Sequence, residues 1–226
     1  MTYLVNTEDS QRFLGMASTE TGSRALLGDA EAFPAAGVHM TKAQIELRNA
    51  VGKVAALAND PTRTPVQQHA AARELANRTI ETLQSSANGI ARQSEMMIEN
   101  AQARADSNFA PRPGHDALNS EIRRWIAEQA KTPEGLTNIR KQMERSEDVA
   151  AVIWHSPDFL LNINSDVCET LKYEALQQHY PDIYSDFVTG HLLRDMPKKY
   201  QSVIRNVGRF FFNAALAEQV SRRVEI

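Results

Sequence analysis

Apolar and small residues recur at spacings of four and three through the middle of the chain: Ala76, Ile80, Leu83, Ala87, Ile90, Ser94, Met97 and Ala101. Sustained over this length, the pattern is the seam of a coiled coil or helical bundle. It predicts one long helix from Pro65 to Ser107. Its start is well marked, because Thr64-Pro65-Val66-Gln67 puts a capping residue before a proline at the first helical position, with glutamine at the third. Half of the seam is small, so another backbone can approach closely. The natural antiparallel neighbour is the preceding segment. There Thr41-Lys42-Ala43-Gln44 reads as a capping box, Leu47, Val51, Val54 and Ala58 follow as a stripe, and Asn59-Asp60-Pro61 closes the helix. Residues 41–108 are therefore expected to form a long-helix hairpin. Gly89, after Asn88, falls off the seam and weakens the helix by about 1 kcal/mol relative to alanine.

Aromatic residues divide the chain unevenly. Of fifteen, only Tyr3, Phe13, Phe33 and Phe109 precede residue 110, and residues 34–108 hold none. Aromatics supply much of the burial in small cores, so a compact helical domain is expected at 114–226, after the linker Ala110-Pro111-Arg112-Pro113-Gly114. Its helices are marked by the stripe Leu118, Ile122, Trp125, Ile126, then by Thr132-Pro133, Ser146, Ser156-Pro157, Ser165 and Pro181. A last helix follows Pro197. The helix opened by Ser156-Pro157 is expected to carry Phe159, Leu160 and Ile163. Phe210-Phe211-Phe212 cannot all face one core, since successive helical residues turn by about 100°. No alternating run suggests a strand. Residues 1–40 carry isolated apolar positions separated by Gly15, Gly22, Gly28, Pro34 and Gly37. They read as an extended arm whose anchors Tyr3, Phe13, Leu26, Leu27 and Phe33 gain burial against another surface. The fold expected is all-α.

The 226 residues carry 25 Lys+Arg and 28 Asp+Glu, a net charge of −3, which excludes a globally basic nucleic-acid binder. One cysteine excludes a disulfide framework and a multi-cysteine metal cluster. No apolar run approaches the ~18–20 residues that cross a bilayer, and the first residues lack the basic and apolar regions of a secretory signal. A product made and kept in a reducing cytosol is expected, with an assembly as its destination. Phosphate-loop, dinucleotide, zincin, nucleophile-elbow and calcium-loop signatures are absent from the sequence, so neither a catalytic residue nor a cofactor or metal is expected. Cys168 sits on an apolar stripe and reads as a small buried hydrophobe.

His155, Asp158, His179, Asp182, Asp186 and His191 could hold a metal or move protons in a helical enzyme; helix capping accounts for four of them. Lys198, Arg205 and Arg209 share one helical face, in a segment that also carries Arg222, Arg223 and Glu225. That face could touch phosphates of DNA, although a solvated face is the ordinary reading. The expected interaction surface is the arm together with Ile80, Leu83, Ile90 and Met97 of the long helix, and the expected partners are other protein subunits, copies of the chain among them.

A glycine-punctuated arm, an Ala/Gln-rich long helix from Pro65 to Ser107 and a compact helical end resemble, as an organisation, the helical virion proteins of tailed phages: head–tail adaptors, internal or ejected proteins, and scaffolds. The resemblance implies a non-enzymatic protein built into a virion or connector, by rings between portal and tail or by packing inside the head.

Overall fold

A computed structural model describes residues 2–219. Arg222, Arg223 and Glu225 of the basic segment lie outside these. Along the chain run α1 (Glu8–Ala17), α2 (Glu20–Leu27), a 3-10 turn (Pro34–Ala36), α3 (Gly37–Ala58), α4 (Pro65–Asn108), α5 (Asp116–Gln129), α6 (Gly135–Arg145), α7 (Glu147–His155), α8 (Asp158–Leu161), α9 (Ser165–His179), α10 (Pro181–Phe210) and α11 (Ala214–Glu218). No strand occurs among the described residues, and the fold is all-α as the pattern predicts. The chain forms two compact units, one of residues 2–95 with 192–219, the other Met96–His191. This differs from the expected boundaries at 40, 108 and 114: both long helices, α4 and α10, give residues to each unit.

In the first unit, the segment expected as an extended arm is helical and packed. Thr7 and Ser10 form a reciprocal cap on α1, with Ser10 N–H donating to Thr7 Oγ1 at 3.2 Å and Thr7 N–H to Ser10 Oγ at 2.9 Å. Thr19 caps α2 through Gly22 N–H at 3.0 Å. α1 and α2 pack on each other and on α3. Of the expected anchors Tyr3, Phe13 and Leu27 are buried by this chain itself, beside Leu14 and Ala17, while Leu26 and Phe33 are partly covered. Of the glycines that suggested an irregular arm, Gly15 and Gly22 lie inside α1 and α2, Gly28 caps α2 and Gly37 opens α3. Gly28 ends α2 with φ of +100°, a conformation that favours glycine.

α3 starts at Gly37, four residues before the expected capping box. Gln44 does not cap; its buried Nε2 donates to the Gly28 carbonyl at 2.7 Å and ties α3 to the end of α2. The α4 start is as expected, with Gln67 N–H on Thr64 Oγ1 and Thr64 N–H on Gln67 Oε1. Thr79 of α4 donates to Glu46 of α3, and Gly89 lies against His39, so the two helices run antiparallel. A Cβ on Gly89 would stand 2.4 Å from the His39 ring, which explains a glycine in mid-helix. Of the seam, Ala76, Leu83, Ala87, Ile90, Ser94 and Ala101 are buried, while Ile80 and Met97 are partly covered.

α10 corrects a second expectation. Pro197 opens no new helix and lies inside one of 30 residues. An interior proline removes one backbone hydrogen bond and costs about 3 kcal/mol. Burial of Leu193, Tyr200, Val203 and Val207 on the flanking turns opposes that cost. The helix stops at Phe210, whose ring lies 5.8 Å from that of Phe13. Phe211 is fully buried and Phe212 only partly. Asn213 then caps α11, and its own N–H donates to His69 Nδ1 at 3.0 Å. Burial lowers the His69 pKa, favouring this neutral acceptor.

The core of the second unit surrounds Phe109, whose ring lies 5.3 Å from Trp154 and 4.9 Å from Tyr180. Ile126, Ile139, Met143, Ile153, Leu161, Leu171 and Leu176 complete it. Ser146 caps α7 as expected. Asn164 rather than Ser165 caps α9, and α6 begins at Gly135, after a turn that holds Pro133. The helix expected to carry Phe159, Leu160 and Ile163 ends before Ile163, which is buried, while Phe159 is 75% and Leu160 48% exposed. Four residues give α8 barely one turn, and the left-handed Asn162 (φ 53°) reverses the chain before the helix can continue.

Candidate functional site

The six histidines and aspartates considered for chemistry do not converge. Asp182 and Asp186, one turn apart on α10, both take the Arg104 guanidinium of α4, with Nη1 donating to Asp186 Oδ2 at 2.7 Å and Nη2 to Asp182. His179 Nε2 lies 2.8 Å from the Met143 carbonyl, so that nitrogen carries the proton. His191 packs on the Phe187 ring at 4.4 Å, and His155 is exposed at the end of α7. Asp158 accepts the Ser165 hydroxyl and the Phe159 N–H. Those bonds, the Ser165 hydroxyl foremost, hold its carboxyl below the usual carboxylate range. Among the described residues no three of His, Cys, Asp or Glu are placed to share a metal ion.

Within the second unit α4, α7 and α9 wall a cleft of about 450 Å³. Trp154 Nε1–H donates to Asp106 at 2.8 Å and Gln102 adds a bond of 3.0 Å to the same carboxylate. Tyr173 donates to Glu169 at 3.1 Å, and Lys172 is the cation of the wall. Cys168 lines the cleft with its thiol pushed up by burial, the inert form of the residue. Phe159 and Leu160 follow the lining residues Pro157 and Asp158 in the chain and are exposed. Their exposure is the feature sequence reasoning missed. Elsewhere in this unit the partly exposed Glu147 accepts the Tyr180 hydroxyl and the Arg112 guanidinium. Its carboxyl is held low, first by the Tyr180 bond, while burial and that carboxylate push the phenol up to about 12.

The expected interaction residues fare unevenly. Tyr3, Phe13, Leu27, Leu83 and Ile90 are covered within the chain, and Leu26, Phe33, Ile80 and Met97 keep partial exposure. On the basic face Lys198 pairs with Asp195 at 2.6 Å and Arg209 lies over the Phe210 ring at 5.1 Å. Arg205 is exposed there.

These features define an all-α protein of two helical units whose polar residues serve mainly as caps, ties between helices and cleft walls. No helix among the described residues is long and apolar enough to cross a membrane. Comparison with protein families, curated proteins and solved structures finds no match to this chain.

Proposed function

We propose that the protein is a non-enzymatic structural component built into a larger protein assembly, with a tailed-phage virion or connector as the specific form. The observation that carries this reading is the adjacent pair Phe159 and Leu160, exposed on the folded helix α8. Single exposed apolar residues are ordinary; two large ones in succession on a folded element would each gain about 1.5–3 kcal/mol if fully buried against another subunit. The histidines and aspartates considered for catalysis are mostly occupied in caps and ties, which favours a structural over a chemical role. Contacts between subunits thus fall to side chains of the folded helices rather than to a mobile arm.

The test is a charge placed on the patch. Phe159→Glu with Leu160→Glu should leave the helical circular dichroism signal and the melting curve of the isolated chain unchanged, because neither side chain is buried in it. The same variant should be lost from the assembly isolated from producing cells. Incorporation at the wild-type level would overturn the role given to this patch.

A further inference from the structure

We infer that His69 and Asn213 form a pH-sensitive latch: a proton taken up at His69 Nδ1 breaks the bond that fastens the turn before α11, and that helix is released. The two residues are 144 positions apart in the chain, and both belong to the first unit. His69 stands one turn into α4 and is 6% exposed. Its Nδ1 accepts the Asn213 N–H at 3.0 Å. An imidazole nitrogen accepts only while it carries no proton, so the bond holds with the proton on Nε2. Protonation turns Nδ1 into a donor that faces another donor. The bond is lost, and the Asn213 N–H must find water instead.

Asn213 is placed to transmit that loss. Its Oδ1 accepts the N–H groups of Ala215 at 3.0 Å and Leu216 at 3.4 Å, and its carbonyl accepts the Ala217 N–H at 3.0 Å. One residue thus organises the start of α11, and His69 fixes that residue. α11 has five residues, too few for a helix to persist by itself in water. Ala217 is buried and Leu216 partly covered, while Ala214, Ala215 and Glu218 are exposed. Release therefore gives up little apolar burial, and a single hydrogen bond can decide it.

The charged groups on the elements around this turn are Arg73 one turn along α4, Lys53 of α3, the Asp60–Arg63 pair at 3.2 Å in the α3–α4 loop, the Glu8–Arg12 pair at 3.3 Å on α1, Arg205 and Arg209 of α10, and Glu218 of α11. None of the carboxylates bonds the His69 ring, whose partner is the Asn213 N–H, so none holds it protonated. Burial alone lowers its pKa. The neutral ring is favoured while α11 is docked, and a ring freed from the Asn213 N–H takes the proton more readily. By linkage the latch is closed above the ordinary histidine pKa of about 6.5 and opens as pH falls from there toward the lower value of the docked ring.

Nuclear magnetic resonance of the full chain, titrated from about pH 7.5 to about pH 5, tests the inference. The His69 ring should titrate, and the Asn213 amide resonance should move with it. Protection of the Ala217 amide against hydrogen exchange should fall by about tenfold or more, while amides inside α3 keep theirs. His69→Asn sets a side-chain oxygen near the place of Nδ1 and takes up no proton, so it should keep Ala217 protected throughout. His69→Phe, with no acceptor, should leave that amide unprotected at both ends of the range. A His69 ring that titrates with no change at Asn213 and Ala217 would overturn the latch. So would a loss of protection that persists in His69→Asn, which would assign the response to another group.

Discussion

Phe109→Ala should lower the stability of the second unit by about 3–5 kcal/mol, the cost of truncating a buried phenylalanine when its surroundings cannot close in. Phe109 is fully buried one residue beyond α4, held there by its N–H on the Ala105 carbonyl at 2.9 Å. The rings around it are tied elsewhere: Trp154 to Asp106, Tyr180 to Glu147, and His179 to the Met143 carbonyl. Moving any of them into the vacated space would break a hydrogen bond, so the cavity stays open. Both tryptophans, Trp125 and Trp154, lie in this unit, and their fluorescence during denaturant unfolding reports it selectively. A loss below about 1 kcal/mol would mean that the core relaxes freely around the site.

Deleting residues 2–27 should abolish the cooperative melt of the first unit. The deletion removes the fully buried Leu14, Ala17 and Leu27 and uncovers the α3 face on which α1 and α2 pack. Leu14→Ala or Leu27→Ala alone should cost about 2–5 kcal/mol. Circular dichroism melts of the truncated chain measure the effect, and limited proteolysis of the intact free chain complements them: residues 8–27 should resist cleavage. An unchanged melt after deletion would restore the picture of a separate arm.

That picture arose from a specific weakness of sequence reading. The all-α class, the α3–α4 hairpin and the Thr64 start of α4 are legible because a heptad seam and a reciprocal cap are local patterns. The packing of α1 and α2 is not, although Thr7-x-x-Ser10 offered a capping signal, because short helices show too few turns for a period to stand out from their glycines. Pro197 misled for the opposite reason: it is a local breaker, and the burial of Leu193, Tyr200 and Val203 that outweighs it is tertiary. Uneven aromatic content suggested a boundary near 114, yet Phe210 packs on Phe13 across nearly two hundred residues of sequence. Phe159 and Leu160 looked like core because hydrophobicity does not reveal which side of a one-turn helix faces out. The histidine and aspartate set is near in sequence but dispersed in space.

A protein that works as a part of something larger should be found in a heavy particle. Sedimentation of untagged protein in a gentle lysate of cells that make it, followed by detection of this chain across the gradient, tests it most directly. The account predicts that most of the chain travels with a particle far heavier than its own 25.2 kDa, and that the Phe159→Glu, Leu160→Glu variant stays near the top. Wild-type protein found throughout at the mass of a free monomer or dimer would contradict it.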